Sequence, residues 1–350
     1  MKNPYLKKTV ETITVGQKSV AGLLDAMAET GFQGKKLGQA AQLWHKMVKD
    51  QALTICMGYT GSLSTTGQWK MVNWLIENRY IDLLVPTGAN ISEDLVEAMG
   101  RHYWQGTHLA DDYALLKADL NRYYDVYGKE SDYLPMIELI TEFILTLDEH
   151  YNYSSREFLK LFGDWLNKKG VYSIIAAAAK HNVPVFCPAI VDSAYGDAIL
   201  VAKARGFNLI LDQSKDFQEF MALGAKVKNF GVVYIGGGVP KDFIQLLAVS
   251  SPLQFTNRRL PGRKGSVHRP TNEGYYPHKY AIQITADSPQ WGGLSGCTLE
   301  EAISWGKITN NEDHLACYCD ATIALPLLTH ALNEKTKGKK RKGFDFAKAF

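Results

Sequence analysis

The most reactive candidate in the sequence is a lysine that directly follows a tryptophan and a glycine. The run Ser304-Trp305-Gly306-Lys307 closes an apolar helical stretch, 299–303, so the amine lies beside a large aromatic ring. Apolar neighbours can desolvate a lysine and favour its uncharged amine, which attacks a carbonyl or an imine. A lysine at the end of a helix is also a common partner of the helix dipole. The pattern alone leaves both interpretations of Lys307 open.

Small and polar residues follow several stretches that have the apolar composition of buried strands. In a parallel α/β sheet, ligands bind beyond the carboxyl ends of the strands. Small residues there allow a pyrophosphate to approach backbone N–H groups at helix starts. No such turn has the spacing G-x-G-x-x-G, so an ordinary structural turn is the alternative for each one. The positions are 60–66, 87–90, Asp192, Asp197, 236–238, Asp320 and Ala321.

Acidic residues accompany these turns, notably Glu93 and Asp94 after the second predicted strand. A carboxylate recognises an ammonium group through charge-assisted hydrogen bonds, so the pattern favours a cationic ligand. For each carboxylate taken alone, a solvated surface position is the alternative.

The elements that must position these turns are visible as alternating strand and helix patterns. An apolar strand begins near residue 52, the turn 58–62 follows, and a helical pattern from Trp69 leads to a second strand at 81–85. This order is a βαβ unit, whose crossover makes its two strands parallel. We therefore predict an α/β protein with a doubly wound, mostly parallel sheet and helices on both faces. Further elements are predicted as helices 172–179 and 198–204 and strands 183–186, 208–211 and 232–235.

Composition limits the function classes. The chain has 350 residues, 46% of them hydrophobic and 21% charged, which suits a globular protein with a substantial core. A formal net charge of +3 is too small to predict a nucleic-acid partner.

The five cysteines are expected to be reduced core thiols, and the pair Cys317 and Cys319 has no second Cys/His pair nearby, so no metal site is predicted. Neither a signal peptide nor an apolar run of transmembrane length is present, so we expect a cytoplasmic protein without a membrane partner.

Taken together, the motifs resemble the deoxyhypusine synthase family, which includes homospermidine synthases. They follow the family's order from about residue 52 to residue 332, and Ser-Trp-Gly-Lys is the most specific of them. The matching stretches are 58–60 with Leu63 and Gly67, 93–95, 184–189, Asp192, 196–197, 236–239, 301–302, 304–308 and 320–321.

This resemblance implies a Rossmann-like homotetramer with NAD and amine sites at subunit interfaces. It also implies the chemistry. A hydride passes from an amine-bearing carbon to NAD, the resulting imine exchanges onto a lysine, an acceptor amine takes the aminobutyl group, and NADH reduces the product. Lys307 occupies the position of the catalytic lysine.

The resemblance also implies roles for individual residues. Asp197, Glu301 and Trp305 would hold the amine, with carboxylates on ammonium groups and the indole against the methylene chain or a cation. The residues expected around NAD are Ser62, Thr87, Gly88, Glu93, Asp192, Gly237, Thr285, Ala286, Asp320 and Ala321.

The expected organisation is a single catalytic domain with extensions. Residues 1–50 form an N-terminal helical extension, 51–332 the NAD-binding catalytic domain, and 333–350 a basic C-terminal tail, whose Lys/Arg run 335–342 is predicted to be a solvated, frayed terminus. The domain carries two inserts. Residues 103–167 contain few Gly or Pro and are predicted to be largely helical. Residues 251–279 combine prolines with arginines and are predicted to be a long basic loop.

Two departures from the family pattern bear on the substrates. Asp242 stands where the family has a histidine of suspected proton-transfer function, although a carboxylate can also accept a proton or bind an ammonium. Leu294 falls in a segment, Gly292-Gly293-Leu294, where the family has Gly-Ser-Asp, so one amine anchor is absent.

These departures favour an NAD-dependent aminobutyl transferase whose acceptor is a small amine, such as putrescine or an agmatine-like guanidine. The first alternative is a true deoxyhypusine synthase, which would modify a lysine of a translation factor. The second is an NAD-binding scaffold or sensor that has kept the fold, an interpretation that an intact Lys307 disfavours.

Overall fold

The structure of the chain, a computed structural model, describes residues 5–227, 229–251, 253, 277–310, 313–346 and 349–350. Most of the predicted basic loop 251–279 lies outside the described residues. The helices are α1 (Val20–Ala28), α2 (Phe32–Lys49), α3 (Trp69–Glu77), α4 (Asp94–Ala98), α5 (Asp112–Lys117), α6 (Glu130–Ile144), α7 (Ser155–Lys169), α8 (Ile174–Lys180), α9 (Ala194–Ala204), α10 (Gln213–Ala222), α11 (Gly238–Ser250), α12 (Leu299–Ser304) and α13 (Ala321–Thr336). The strands are β1 (Thr54–Tyr59), β2 (Leu83–Pro86), β3 (Trp104–Gln105), β4 (Leu120–Tyr123), β5 (Val126–Lys129), β6 (Asn152–Tyr153), β7 (Ile210–Leu211), β8 (Phe230–Ile235), β9 (Tyr280–Thr285) and β10 (His314–Tyr318). Short 3-10 helices cover Ala89–Ile91, Leu223–Ala225 and Pro289–Trp291.

Five parallel strands form the central sheet in the order β10-β9-β8-β1-β2. Beyond β2, Val185 adds a single parallel bridge to Leu84. The chain therefore starts in the middle of the sheet, builds one half outward from β1, and then returns to build the other half from β8. Its direction of winding reverses between β1 and β8, which is the topological switch point where open α/β sheets bind ligands. The predicted fold class is confirmed.

Side chains of the central strands alternate between two cores. In β1, Ile55 and Met57 point into the core formed with α2 and α3, whereas Cys56 points into the core formed with α11. Every residue of β1 and of β8 is buried. This pattern arises because strands that are covered by helices on both faces have apolar side chains at successive positions.

More than half of the segment 103–167 is helical, in α5, α6 and most of α7, but the segment also contains strands that its composition did not predict. Strands β3, β5 and β4 form a small antiparallel sheet before α6 and α7 begin. Strands β4 and β5 are joined by a tight turn in which Tyr124 has φ 58°. A low content of Gly and Pro suggests helix, but the aromatic and β-branched residues of this stretch have high strand propensity, and cross-strand pairing decides the outcome.

Two predicted strands are shorter than expected. The stretch 183–186 makes one bridge to β2, because Pro184 has no N–H to donate to a ladder. The stretch 208–211 contributes only β7, which pairs with β6 in a separate two-stranded sheet. Asp212 follows this strand, and its side chain accepts a hydrogen bond from the N–H of Lys215 and so caps α10.

The prediction of a solvated, frayed terminus for residues 335–342 is only partly correct, because residues 337–340 and 342 are exposed but Arg341 is not. Helix α13 continues to Thr336, and Arg341 is buried, with 4% of its surface exposed. Its guanidinium pairs with Asp82, which precedes β2 and is completely buried. Arg79 pairs with the same carboxylate. A buried carboxylate needs charged partners, and the basic run supplies one of them.

Candidate active site

The larger of two cavities relevant to chemistry lies at the switch point of the sheet. We call it the switch-point cleft. It has a volume of about 1190 Å³ and opens at the carboxyl ends of β1, β8, β9 and β10. The antiparallel sheet forms part of its rim. The lining residues are 60–63, 65–68, Glu97, 103–106, 123–126, Gly236, 284–287, Ser295 and 320–322.

Two glycines shape the wall of this cleft after β8. Gly236 has φ +76°, and a Cβ there would lie 2.0 Å from the hydroxyl oxygen of Thr60. A Cβ on Gly237 would lie 2.4 Å from the Cα of Ser295. The backbone N–H of Gly237 donates to Thr60 Oγ1 at 3.2 Å, and α11 begins directly afterwards. Glycine is required here because a side chain would clash with the Thr60 side chain at position 236 and with the Ser295 backbone at position 237.

The cleft is acidic. Its lining includes the carboxylates of Glu97, Asp125, Asp287 and Asp320, and no Lys, Arg or His lines it among the described residues. Asp320 caps α13 by accepting a hydrogen bond from Thr322 N at 2.7 Å. Carboxylates at such positions suit ribose hydroxyl groups and disfavour an additional phosphate.

The second cavity, which we call the lysine pocket, has a volume of about 460 Å³. Lys307 Nζ lies 2.8 Å from Asp242 Oδ1 and 5.5 Å from the centroid of the Trp305 ring. Only 12% of the Lys307 side chain is exposed. The pocket is lined by Asp242, Leu246, Pro289, 292–294, Cys297, Glu301, Trp305 and Lys307.

Separate elements bring these side chains together. Asp242 lies in the first turns of α11, while Glu301 is the third residue of α12 and closes a capping box with Thr298. Trp305 directly follows α12, and Gly306, at φ 77°, turns the chain so that Lys307 points back towards α11. The backbone of Lys307 is fixed as well, because its carbonyl oxygen accepts from His278 N at 3.0 Å.

The pocket has the parts needed for a lysine nucleophile. The carboxylate of Asp242 is within hydrogen-bonding distance of Lys307 Nζ, at 2.8 Å. Attack on an imine requires the free amine, and Asp242 is the base within reach of that proton. Trp305 offers an aromatic face to a cation.

Apart from Gly237, the sequence-predicted site residues fall into three groups. Ser62, Thr285, Ala286, Asp320 and Ala321 line the switch-point cleft, and Lys307, Asp242, Glu301 and Trp305 line the lysine pocket. Gly237 lies at the boundary, against Ser295. The remaining predicted residues, which line neither cavity, are Thr87, Gly88, Glu93, Asp192 and Asp197.

This third group surrounds the end of β2, next to the cleft. The side-chain amide of Asn90 donates to Thr87 Oγ1 at 3.0 Å and to the carbonyl oxygen of Gly61 in the cleft wall. A Cβ on Gly88 would lie 2.5 Å from Ser193 Oγ, so the chain packs tightly there. Asp192 and Asp197 are exposed on the surface of the single chain.

Glu93 is buried behind the aromatic rim of the cleft. Its carbonyl oxygen accepts from the hydroxyl of Tyr103 at 3.1 Å, and its Oε2 has no hydrogen-bond partner in the described part of the chain. Burial, with a smaller contribution from neighbouring Asp94, raises the pKa of Glu93 to about 7. Burial likewise raises the pKa of Asp94 to about 7, although the Ile174 N–H donates to that carboxylate and opposes the rise.

Sequence reasoning did not identify several residues of the site. Tyr103 and Tyr123 line the cleft from the antiparallel sheet, which the composition did not predict. Lys241 and Gln283 lie behind the wall between the two cavities. A signal for Lys241 was present, because it lies between the glycine turn and Asp242.

Comparison with known proteins gives consistent matches. The deoxyhypusine synthase family model matches residues 22–332. The chain is 43% identical to a Methanosarcina mazei protein named "Probable deoxyhypusine synthase 2", over 97% of this chain and 94% of that protein. It is 33% identical to a "Deoxyhypusine synthase-like protein" of Elusimicrobium minutum, over 98% of this chain and 88% of that protein.

A solved structure shares the fold. The crystal structure of a "putative deoxyhypusine synthase" from Entamoeba histolytica aligns with a TM-score of 0.60 and 19% sequence identity, and the alignment covers 93% of this chain and 94% of that one. None of the helices in the described ranges has the length and apolar character needed to cross a membrane.

Proposed function

The chain belongs to the deoxyhypusine synthase family, and from this premise we propose that it moves an aminobutyl group from a polyamine to a small amine through an imine on Lys307. The observation that carries this proposal is the position of the Lys307 amine. It is 2.8 Å from a carboxylate, in a small cavity next to a glycine-walled cleft. In the proposed enzyme, NAD occupies that cleft.

The covalent step is an exchange of imines. When bound, NAD supplies a site for the hydride that leaves the amine-bearing carbon and later returns to the product. Asp242 accepts a proton from the Lys307 ammonium, and the free amine then adds to the substrate imine carbon. The bond from that carbon to its original nitrogen breaks, that nitrogen leaves as an amine, and Lys307 holds the aminobutyl group as an imine. An acceptor amine then displaces Lys307 in the same way.

The cleft supports NAD as the cofactor. Its volume is sufficient for a dinucleotide, since ligand cavities commonly measure about 300–1,000 Å³. The absence of Lys and Arg among its described lining residues favours NAD over NADP, whose additional phosphate needs a cation. The residues proposed to contact NAD directly in this chain are Ser62, Gly237, Thr285, Ala286, Asp320 and Ala321.

The lysine pocket supports a small, cationic substrate. Glu301 and Asp242 offer carboxylates to ammonium groups, and Trp305 offers a face to the methylene chain. Leu294 lines the wall where the family has an acidic residue, so the pocket holds fewer charges for a second ammonium. This difference favours a small acceptor over a protein lysine.

We further propose that the protein acts in the cytoplasm as a homotetramer whose subunits share active sites. Thr87, Gly88, Glu93, Asp192 and Asp197 line neither cavity of a single chain. Asp192 and Asp197 are exposed, which leaves their carboxylates accessible to the pocket of a neighbouring subunit.

The test is to incubate the purified protein with NAD, spermidine labelled in its aminobutyl group, and either putrescine, agmatine or a translation-factor substrate. Mass spectrometry identifies the product, and borohydride traps any imine on the protein. We expect label on a small amine and a borohydride adduct at Lys307 that is absent in Lys307→Arg. Label on the translation factor alone would support the protein-acceptor alternative. No product and no adduct with any polyamine would support the scaffold alternative.

A further inference from the structure

A buried lysine, Lys241, donates hydrogen bonds to the backbone of residues 294–297, the segment between the two cavities. Lys241 has 0% of its surface exposed, and it forms no ion pair within the described ranges of the chain. Its Nζ donates to Gln283 Oε1 at 3.0 Å, to the carbonyl oxygen of Leu294 at 3.3 Å, and to that of Cys297. An ammonium group has three protons to donate, so these three acceptors satisfy it.

Gln283 extends this arrangement to the other cavity. Its side-chain amide donates to the carbonyl oxygen of Gly236 at 3.0 Å and to that of Ser295 at 2.8 Å. Gly236 and Ser295 line the switch-point cleft, whereas Leu294 and Cys297 line the lysine pocket. One buried network of hydrogen bonds therefore contacts the walls of both cavities.

Lys241 also precedes the base of the proposed reaction. Asp242 is the next residue on α11 and pairs with Lys307. Burial lowers the pKa of Lys241. Removing one member of a buried polar network leaves the other groups unsatisfied, so their backbone must move. Loss of the Lys241 amine would thus remove the connection between Gln283 and the carbonyl oxygens of residues 294 and 297.

We propose that Lys241, together with Gln283, is a positioning residue that couples occupancy of the switch-point cleft to occupancy of the lysine pocket. This inference rests on the proposed function, because it assigns a cofactor to the cleft and an amine to the pocket. A ligand that orders the glycine turn fixes Gln283, which fixes Lys241 and hence residues 294–297 on the pocket side. Such coupling acts equally in both directions.

Equilibrium binding tests the proposal without turnover. NADH cannot accept a hydride, so NADH and spermidine form an unreactive ternary complex. Isothermal titration calorimetry measures each ligand alone and in the presence of the other. In the unmodified protein we expect each ligand to change the affinity of the other about tenfold. In Lys241→Met we expect this mutual effect to fall below about twofold, while each ligand alone binds within about threefold of its original affinity.

Two further variants complete the design. Gln283→Glu keeps an acceptor for Lys241 but loses the donors to Gly236 and Ser295, so it should also remove the coupling, even if Lys241→Met fails to fold. Lys203→Met, which replaces an exposed lysine on α9, should leave the coupling intact. Unchanged coupling in Gln283→Glu, or independent binding of the two ligands in the unmodified protein, would overturn the inference while leaving the proposed function standing. Failure of the unmodified protein to bind either ligand would overturn both.

Discussion

The switch-point cleft and the lysine pocket lie on opposite sides of residues 294–297, yet they are built by different means. Backbone shapes the cleft, through turns that follow the central strands and through Gly236 and Gly237. Side chains shape the pocket, where Asp242 and Lys307 meet across 65 positions of sequence. The cleft has the character of a binding site for a large ligand, and the pocket that of a site for covalent chemistry.

The charges of the two cavities differ accordingly. The cleft is lined by carboxylates and by no basic residue among its described lining residues. The pocket, in contrast, contains an ion pair between Asp242 and Lys307. A reaction that needs both a stationary hydride acceptor and a reactive amine could use this division. Substitutions in the pocket should therefore affect the rate of the proposed reaction, and substitutions in or near the cleft should affect the affinity for the cofactor.

The largest effect is expected from Lys307→Ala. Removal of the proposed nucleophile should lower the proposed aminobutyl transfer by about 10³-fold or more, because covalent catalysis would be lost. The affinity for NAD should stay within about twofold, since Lys307 does not line the cleft. Product formation by mass spectrometry and NAD titration by calorimetry provide the two measurements. A loss of NAD affinity as large as the loss of rate would contradict the assignment of separate roles to the two cavities.

Arg341→Met should lower the stability of the whole protein without altering either cavity. Removing one partner of a buried ion pair costs about 3 kcal/mol, and Asp82 would keep Arg79 as its charged partner, with backbone donors from Ile55 and Phe344. Urea unfolding should show this loss of free energy, with catalytic rate and NAD affinity unchanged in the folded protein. Arg205→Met, which breaks an exposed pair with Glu138, serves as the control and should have almost no effect. Equal midpoints for the two variants would argue against a structural role of the tail.

Asp242→Asn should lower the rate by about 100-fold, because the amide keeps an acceptor for Lys307 but cannot take its proton. The deficit should shrink as pH rises, since hydroxide then removes the proton instead. Rate profiles of both proteins between neutral and alkaline pH test this expectation. A deficit that stays constant with pH would contradict proton transfer and indicate a purely structural pair.

The acidic cleft should discriminate between cofactors. We expect NAD to bind at least about tenfold more tightly than NADP, because carboxylates repel the additional phosphate. High salt should reduce this preference by screening the charges. Calorimetric titrations with NAD and with NADP, at low salt and near molar salt, measure the ratio of the two affinities. Tighter binding of NADP at low salt would be incompatible with the charge contrast between cleft and pocket.

The smallest expected effect is a pH dependence of stability, caused by the carboxyl groups of Glu93 and Asp94 behind the rim of the cleft. The folded-state pKa values of Glu93 and Asp94 are raised to about 7 from ordinary values near 4. Between the ordinary and the raised pKa values, the carboxyl groups of Glu93 and Asp94 hold more protons in the folded state than in the unfolded state. The free energy of unfolding therefore decreases as pH rises from about 4.5 to 7. Glu93→Gln should weaken this decrease in thermal midpoint, whereas exposed Glu11→Gln should not. The same pH dependence in all three proteins would exclude Glu93 as a cause.

Much of the fold follows from the sequence because strand and helix periodicities are local properties. The unit from β1 to β2 was predicted in full, and the turn at 236–238 was placed correctly after its strand. The sheet of β3, β4 and β5 was missed, since its pairing depends on neighbours that composition does not specify. That omission also concealed the aromatic rim of the cleft.

The site was predictable to a different extent. Lys307 and Asp242 were identified as separate candidates, but their 2.8 Å contact depends on how α12 packs near α11. No spacing rule connects Lys241 to the carbonyl oxygens of residues 294 and 297. Apart from the position of Lys241 next to the glycine turn, a network that ends on backbone acceptors leaves no signature in residue types.

The buried Arg341 has a practical consequence for choosing where a recombinant fragment should stop. The family match ends at residue 332, but the guanidinium that neutralises Asp82 comes nine positions later. A fragment trimmed to the matched region would keep the carboxylate inside the protein and discard its main counter-ion. We expect such a fragment to aggregate, so homology limits should not be taken as folding limits in this protein.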